Sequence, residues 1–400
     1  MKMNVGWVHR FMGGIDQREA LQSTMGPSVG KRHGGIDPRR VILGSMIGLL
    51  AYISLRLFLR TAELQPIGLD FSCFWTGAHV AVGNRARLYD FTYVTQQQAW
   101  LIGHRLHMRP FIYPPSSLPL FLPFGAMAYW PAYGLWVVLT GALFLAASLR
   151  AGAKWWILAF PPLAYVAVCG QITFLIGALV TAGLVLRPRP ILAGVLFGLA
   201  GCAKPQILVL LPLALVADRQ WRTIGAAAVT AGVLAALSAA IWGVGLWADW
   251  LAALPRFQQA NLAIPSLART MVTPYAALRG AGLPGAWAWL LIPPVLLAVW
   301  TVFRRTLDVP TRLLALIGGT LLISPYAMNY EMALLTPAVA ALAARTKDPR
   351  WPAYAVAAPV LGLGFVYCLP ALVLLLTLLG WATWPSRNRQ SEARGGSQAL

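Results

Sequence analysis

From Val41 to Trp384 the chain is a succession of apolar runs, each bounded by one or a few basic residues. Nothing else in the sequence limits its fold as strongly. In hydrocarbon, backbone groups find no water, so only helices and closed barrels can cross it. A barrel strand alternates apolar and polar positions, whereas these runs are continuous and rich in Leu, Ala and Val. The pattern therefore predicts an all-α polytopic membrane protein. Charge agrees: charged residues make up 11% of the 400, against about 25% in soluble domains.

The 32 Lys and Arg against 12 Asp and Glu leave a net charge of +20. In a soluble chain this excess would suggest nucleic-acid binding. Here the basic residues stand singly or in pairs between apolar runs, as topology determinants do, and no nucleic-acid partner is expected. Placing Arg150/Lys154, Arg187/Arg189, Arg219/Arg222, Arg304/Arg305, Arg345/Lys347/Arg350 and Arg387/Arg389 in the cytoplasm gives about twelve crossings by the positive-inside rule. They fall near 41–59, 116–149, 155–169, 172–186, 191–203, 206–217, 224–244, 285–303, 311–324, 331–344, 352–366 and 370–384.

Both termini then lie inside. Residues 1–40 read as a basic cytoplasmic tail, 41–385 as the membrane domain and 386–400 as a second tail, in a multi-pass protein of the plasma (inner) membrane. Residues 1–40 contain no apolar h-region, so the first run reads as an uncleaved anchor. Several runs fall short of the roughly 20 residues that a lone span requires, which predicts tilted, broken or shielded helices. Run 116–149 is too long for one simple crossing, and Pro123 and Pro131 are expected to split it.

Two long external loops result, 60–115 and 246–283, and they hold most of the residues that could carry chemistry. Asp70 follows the first membrane run in aromatic surroundings. Partial desolvation would make its carboxylate more basic and suit it to take a proton from a hydroxyl; Asp is equally a preferred helix N-cap. Lys204 sits between two apolar runs and is followed by Pro205. It fits either a snorkelling helix-end lysine or a cradle for an anionic headgroup such as a phosphate.

Glu331, in the external turn Ser324 to Glu331, could orient a sugar hydroxyl or cap the next helix. Gln171 could bind substrate or another helix. His79, His104 and His107 lack paired acidic ligands, and Cys73, Cys169, Cys202 and Cys368 lack metal-binding spacing, so neither metal nor cofactor is expected.

The strings LDFSCFWTGAHVAVGNRARLYD (69–90), YPPSSLPLFLPF (113–124), GQITFL (170–175), AGVLFGLAGCAKPQILVLLPLAL (193–215) and SPYAMNYEMALL (324–335) together resemble glycosyltransferase family 87, the polyprenol-phosphate-mannose-dependent mannosyltransferase-like membrane proteins. The resemblance implies a GT-C architecture with a catalytic aspartate in the large first external loop, and donors whose sugar is linked through a single phosphate to a polyprenol. Asp70 matches that aspartate, as general base on the acceptor hydroxyl. Lys204 matches a Lys-Pro position that would hold the donor phosphate, and Tyr113, Pro114 and Pro115 match a motif that shapes the site. Asn329, Tyr330 and Glu331 stand where related proteins often place a histidine, so the acceptor is not carried over.

The expectation is an inverting transfer of mannose or another hexose, with a pentose as the alternative, to a lipid or glycan hydroxyl on the external face. The phosphate would be held by Lys204 and an external arginine such as Arg269, among membrane lipids. A transporter or lipid flippase is the main rival; its internal repeats and mid-membrane charges are not evident.

Overall fold

The computed structural model describes residues 37–103, 109–263 and 270–348, with Trp351, Ala357 and Gly380. The chain divides into Met1–Val41 and Ile42–Leu400. Of the first unit only 37–41 are described, with Asp37 Oδ1 accepting a hydrogen bond from the Arg39 backbone. The second unit carries the helical fold. Among the described residues regular structure is helical, apart from one isolated bridge between Met271 and Met328.

The helices are α1 (Pro38–Leu64), α2 (Phe71–Gly83), α3 (Phe91–Ile102), α4 (Leu118–Gly125), α5 (Tyr129–Arg150), α6 (Pro161–Cys169), α7 (Thr173–Val185), α8 (Pro190–Ala203), α9 (Leu211–Ala217), α10 (Trp221–Trp242), α11 (Gly245–Ala263), α12 (Pro274–Gly280), α13 (Ile292–Arg305), α14 (Val309–Ile323) and α15 (Thr336–Ala343). Short 3-10 segments lead into several of them, including Pro205–Leu208 before α9, Gly285–Leu291 before α13 and Asn329–Leu335 before α15.

Among the described residues four stretches are long and apolar enough to cross a membrane: Pro38–Leu64, Tyr129–Arg150, Trp221–Trp242 and Gly285–Arg305. In α1 and α10 the large apolar side chains Leu49, Leu55, Phe58, Val229, Val233 and Ile241 are exposed, which is the surface that lipid covers. The shorter helices α7 and α14 are instead buried along most of their length. This is why runs too short for a lone span persist: neighbouring helices, not lipid, surround them. The crossings expected at 352–366 and 370–384 lie outside the described residues.

Successive helices run between two ends of this unit. At one end Asp218, which follows α9, pairs with Arg187 before α8 and with Arg312 in the first turns of α14, and Arg345 after α15 pairs with Asp308. At the other end the Ser116 hydroxyl donates to the Cys202 carbonyl at the close of α8, and the Trp242 indole at the close of α10 donates to the Ala81 carbonyl. Helix α8, 14 residues long and thus about 21 Å at 1.5 Å per residue, joins the two. The chain turns back at Lys204-Pro205, so that Lys204 stands at the turn between α8 and the segment leading into α9.

Run 116–149 divides, but at neither proline: Pro123 lies inside α4, and the break does not fall at Pro131 either. That residue lies in the first turn of α5, where backbone N–H groups have no helical partner to lose. The break falls at 126–128. Short α4 packs on α2 so closely that a Cβ at Gly125 would lie 2.6 Å from the Ala78 Cβ, which turns α4 into part of the loop layer. The loop 60–115 contains α2 and α3, and loop 246–283 contains most of α11 and all of α12.

Candidate active site

Asp70 is positioned by its backbone. Its N–H donates to the Cys169 carbonyl (2.9 Å) and that of Gly68 to Val168 (2.8 Å), which docks the start of the loop on the end of α6. Both sides of this junction require glycine. Gly68 (φ +75°) has no room for a Cβ beside the Tyr129 hydroxyl, which donates to its carbonyl, and Gly170 (φ +68°) meets Phe71 in the same way. Both angles lie in the left-handed region, which other residues avoid.

Asp70 precedes α2 but makes no capping hydrogen bond. Its carboxylate turns inward. Oδ1 accepts from Arg109 Nη1 at 2.6 Å and Oδ2 accepts from Gln171 Nε2 at 3.3 Å. The Gln171 amide is oriented in turn, because its oxygen accepts the Ile172 backbone N–H at 2.9 Å. Gln171 thus bonds the Asp70 carboxylate, a partner its sequence position did not indicate. The Asp70 side chain is 13% exposed. Burial pushes its carboxyl above the usual carboxylate range, against the opposing pull of Arg109, Gln171 and Lys204.

Arg109 was not anticipated from the sequence. It begins an extended strap, residues 109–113, whose backbone carbonyls are taken up by side chains: Gln98 donates to Arg109 (2.8 Å), the Cys73 thiol to Pro110 (3.3 Å), Trp250 to Ile112 (3.0 Å) and Tyr89 to Tyr113 (2.7 Å). The Arg109 N–H itself donates to the Thr95 hydroxyl. A strap without a strand partner must satisfy its polar groups in some such way. The one signal in sequence is proximity: Arg109 stands four residues before Tyr113-Pro114-Pro115. Tyr113 packs edge-on against Phe74, and Pro114 leads into the turn that holds Ser116 and Ser117.

Lys204 and Glu331 lie at the same end. Lys204 Nζ stands 2.6 Å from Glu331 Oε1, with side chains 4% and 1% exposed. Neither the ammonium nor either carboxylate oxygen has a hydrogen bond of good geometry among the described residues. Glu331 therefore does not cap a helix, and Lys204 does not snorkel to a surface. Lys204 also lies 5.1 Å from the centre of the Tyr330 ring, and that ring stacks on Tyr165. Asn329 is buried and its N–H donates to the Thr270 carbonyl. Arg269 lies outside the described residues, as do His104, His107 and Cys368.

Other groups fall away from this cluster. Asp90 caps α3 through the Tyr93 N–H and pairs with Arg87 on the surface, and these contacts hold its carboxyl below the usual range. His79 stacks on Trp75. A broad cleft of about 580 Å³ beside Asn84, Arg85 and Trp242 includes none of the Asp70 group.

The described site thus brings together two carboxylates, two cations, an amide and several tyrosines. Such a set can take a proton from a hydroxyl and hold an anionic leaving group. The profile of glycosyltransferase family 87 matches residues 111–325, more than half of the chain. The match includes Tyr113, Pro114, Gln171 and Lys204; Arg109 and Glu331 lie just beyond its ends, and Asp70 lies well before it. No curated protein and no solved structure matches the chain.

Proposed function

Since this chain belongs to glycosyltransferase family 87 and is a membrane protein, we propose that it moves a sugar from a polyprenyl-phosphate donor to an acceptor hydroxyl at the Asp70 end of its helices. The observation that carries this reading is a buried carboxylate, Asp70, ion-paired with Arg109, with a second, more deeply buried cation, Lys204, at the same end of the helices.

In the reaction Asp70 accepts the proton of the acceptor hydroxyl. The acceptor oxygen forms a bond to the anomeric carbon as the bond from that carbon to the phosphate oxygen breaks. The phosphate leaves with the electron pair, and the configuration inverts. Lys204 and Arg109 stabilise the charge that grows on the leaving group, and a water-poor site strengthens both contacts. Gln171 keeps the second Asp70 oxygen in place, and Tyr330 and Tyr165 offer a stacked face to a sugar ring. The basic clusters favour a cytoplasmic Arg187–Asp218 end and, with it, an Asp70 end on the external face of the plasma membrane. A hexose, with mannose the first choice, is the expected sugar.

The test is transfer by purified protein from polyprenyl-phosphate sugars without added divalent metal, alongside a mass comparison of extractable glycolipids with and without the protein. A missing increment of one hexose or one pentose identifies the sugar class. Transfer from a nucleotide sugar in a lipid-free assay rejects the proposal, and solute flux without transfer makes the chain a transporter.

A further inference from the structure

Glu331 has no part in that reaction, yet it is the most deeply buried charged group of the site. Its carboxylate stands 2.6 Å from Lys204 Nζ. Its other oxygen has no hydrogen-bond partner among the described residues, and neither has the ammonium a well-aligned one. A buried ion pair whose remaining valences go unused costs desolvation that the pair alone does not recover. Retaining one at the turn that follows α8 calls for a reason beyond stability.

The chemistry of the two groups supplies one. A carboxylate oxygen on an ammonium is a close mimic of a phosphate oxygen on the same ammonium. We propose that Glu331 is a positioning residue that exchanges with the phosphate on Lys204: it holds the ammonium between turnovers, yields it to the donor, and returns to it as the product leaves. The proposal rests on the polyprenyl-phosphate donor. Its consequence lies in the charge difference between donor and product. A sugar phosphodiester carries one negative charge, whereas the released phosphomonoester carries about 1.5 to 2 at neutral pH. The product would therefore hold Lys204 more tightly than the donor did, and a fixed carboxylate that competes for the same ammonium opposes that retention. Asp70 and Arg109 form the second pair of the site, so the four charges balance before any phosphate enters. An anion then has to displace Glu331 rather than meet a bare cation.

The test uses the full chain in detergent and a short-chain prenyl phosphate as the probe, with its binding measured by calorimetry. Glu331→Gln keeps the side-chain shape and removes the competitor. It should bind the probe roughly tenfold more tightly, the scale of one close charge contact. In turnover it should lower KM for the donor and lower kcat together, because product release becomes slow. Glu331→Asp keeps the charge but withdraws it from Lys204 by one methylene, so it should also bind more tightly. This variant decides the matter if the Gln variant cannot be purified. Binding by the variants that is equal to or weaker than wild type overturns the exchange, as does a rise in KM with the fall in kcat. Lys204→Met should abolish the tight binding in either background. Probe binding that is indifferent to Lys204→Met removes Lys204 from the phosphate site and overturns the exchange, whereas a wild-type protein that does not bind the probe at all rejects the donor reading itself, a distinct result.

Discussion

Arg109 donates to the Asp70 carboxylate at 2.6 Å across 39 residues of sequence, and among the described contacts none bears as directly on the proposed chemistry. A buried carboxylate without a counter-charge would be forced neutral. With Arg109 beside it, Asp70 keeps an ionised form within reach while burial keeps it more basic than an exposed aspartate. The pair also ties the first external loop to itself, since one partner directly precedes α2 and the other lies in the strap after α3.

Asp70→Asn should lower transfer by about 10²–10⁴-fold, the usual worth of a general base, with normal expression and membrane insertion. A capping role would leave Asn nearly as good as Asp, but the structure shows no capping bond to lose. Asp90→Asn is the control. Asp90 does cap a helix, on the surface, so its Asn variant should keep most of the activity. Turnover assays of the two variants side by side check this.

Arg109→Gln removes the counter-charge and leaves burial unopposed. The acidic limb of the kcat/KM profile reports the free enzyme's base. In the wild type that limb should lie above the ordinary aspartate value of about 3.9, because burial raises the Asp70 carboxyl. In Arg109→Gln it should move further up, with activity at neutral pH falling as more Asp70 stays protonated. A limb that stays in place would show that Asp70 is not the titrating base.

At the opposite end Asp218 is held between Arg187 and Arg312, with the Arg312 side chain 3% exposed. Burial opposes the Asp218 charge, but hydrogen bonds from both guanidinium groups outweigh it and hold the carboxyl below the usual range. A depressed carboxyl contributes stability that is present above its unfolded value and lost as pH falls through the folded one. Thermal stability in detergent should therefore fall on acidification below about pH 4. Asp218→Asn, which leaves Arg312 buried without its charge partner, should cost about 3–5 kcal/mol and blunt that pH dependence. Apparent Tm against pH for both proteins tests the pair.

Topology can be read by labelling. In a background without the four native cysteines, Asn84→Cys and Arg305→Cys both place a thiol on an exposed position. The Asn84 site should react with an impermeant reagent in intact cells, and the Arg305 site only after the membrane is opened. The reverse pattern would put the Asp70 end in the cytoplasm.

The helical membrane class, the break at Lys204-Pro205 and the gathering of basic connections at one end were legible along the chain, because hydrocarbon and helix geometry act on each residue through its near neighbours. Asp70 could be singled out for the same reason, by its place just beyond the first membrane helix. Its two roles, base and cap, could not be separated there; the direction its carboxylate faces depends on the docking of Gly68 to Asp70 on the end of α6. Arg109 stood unmarked among 32 basic residues, since only the capture of its strap by Gln98 and Thr95 aims it at Asp70. Glu331 likewise read as a cap or a sugar contact, and became the partner of Lys204 only through tertiary packing that brings the segment leading into α15 within reach of the Lys204 side chain. Ion pairs between distant segments leave no periodic trace, because the energy that forms them arises only once tertiary packing has removed both charges from water.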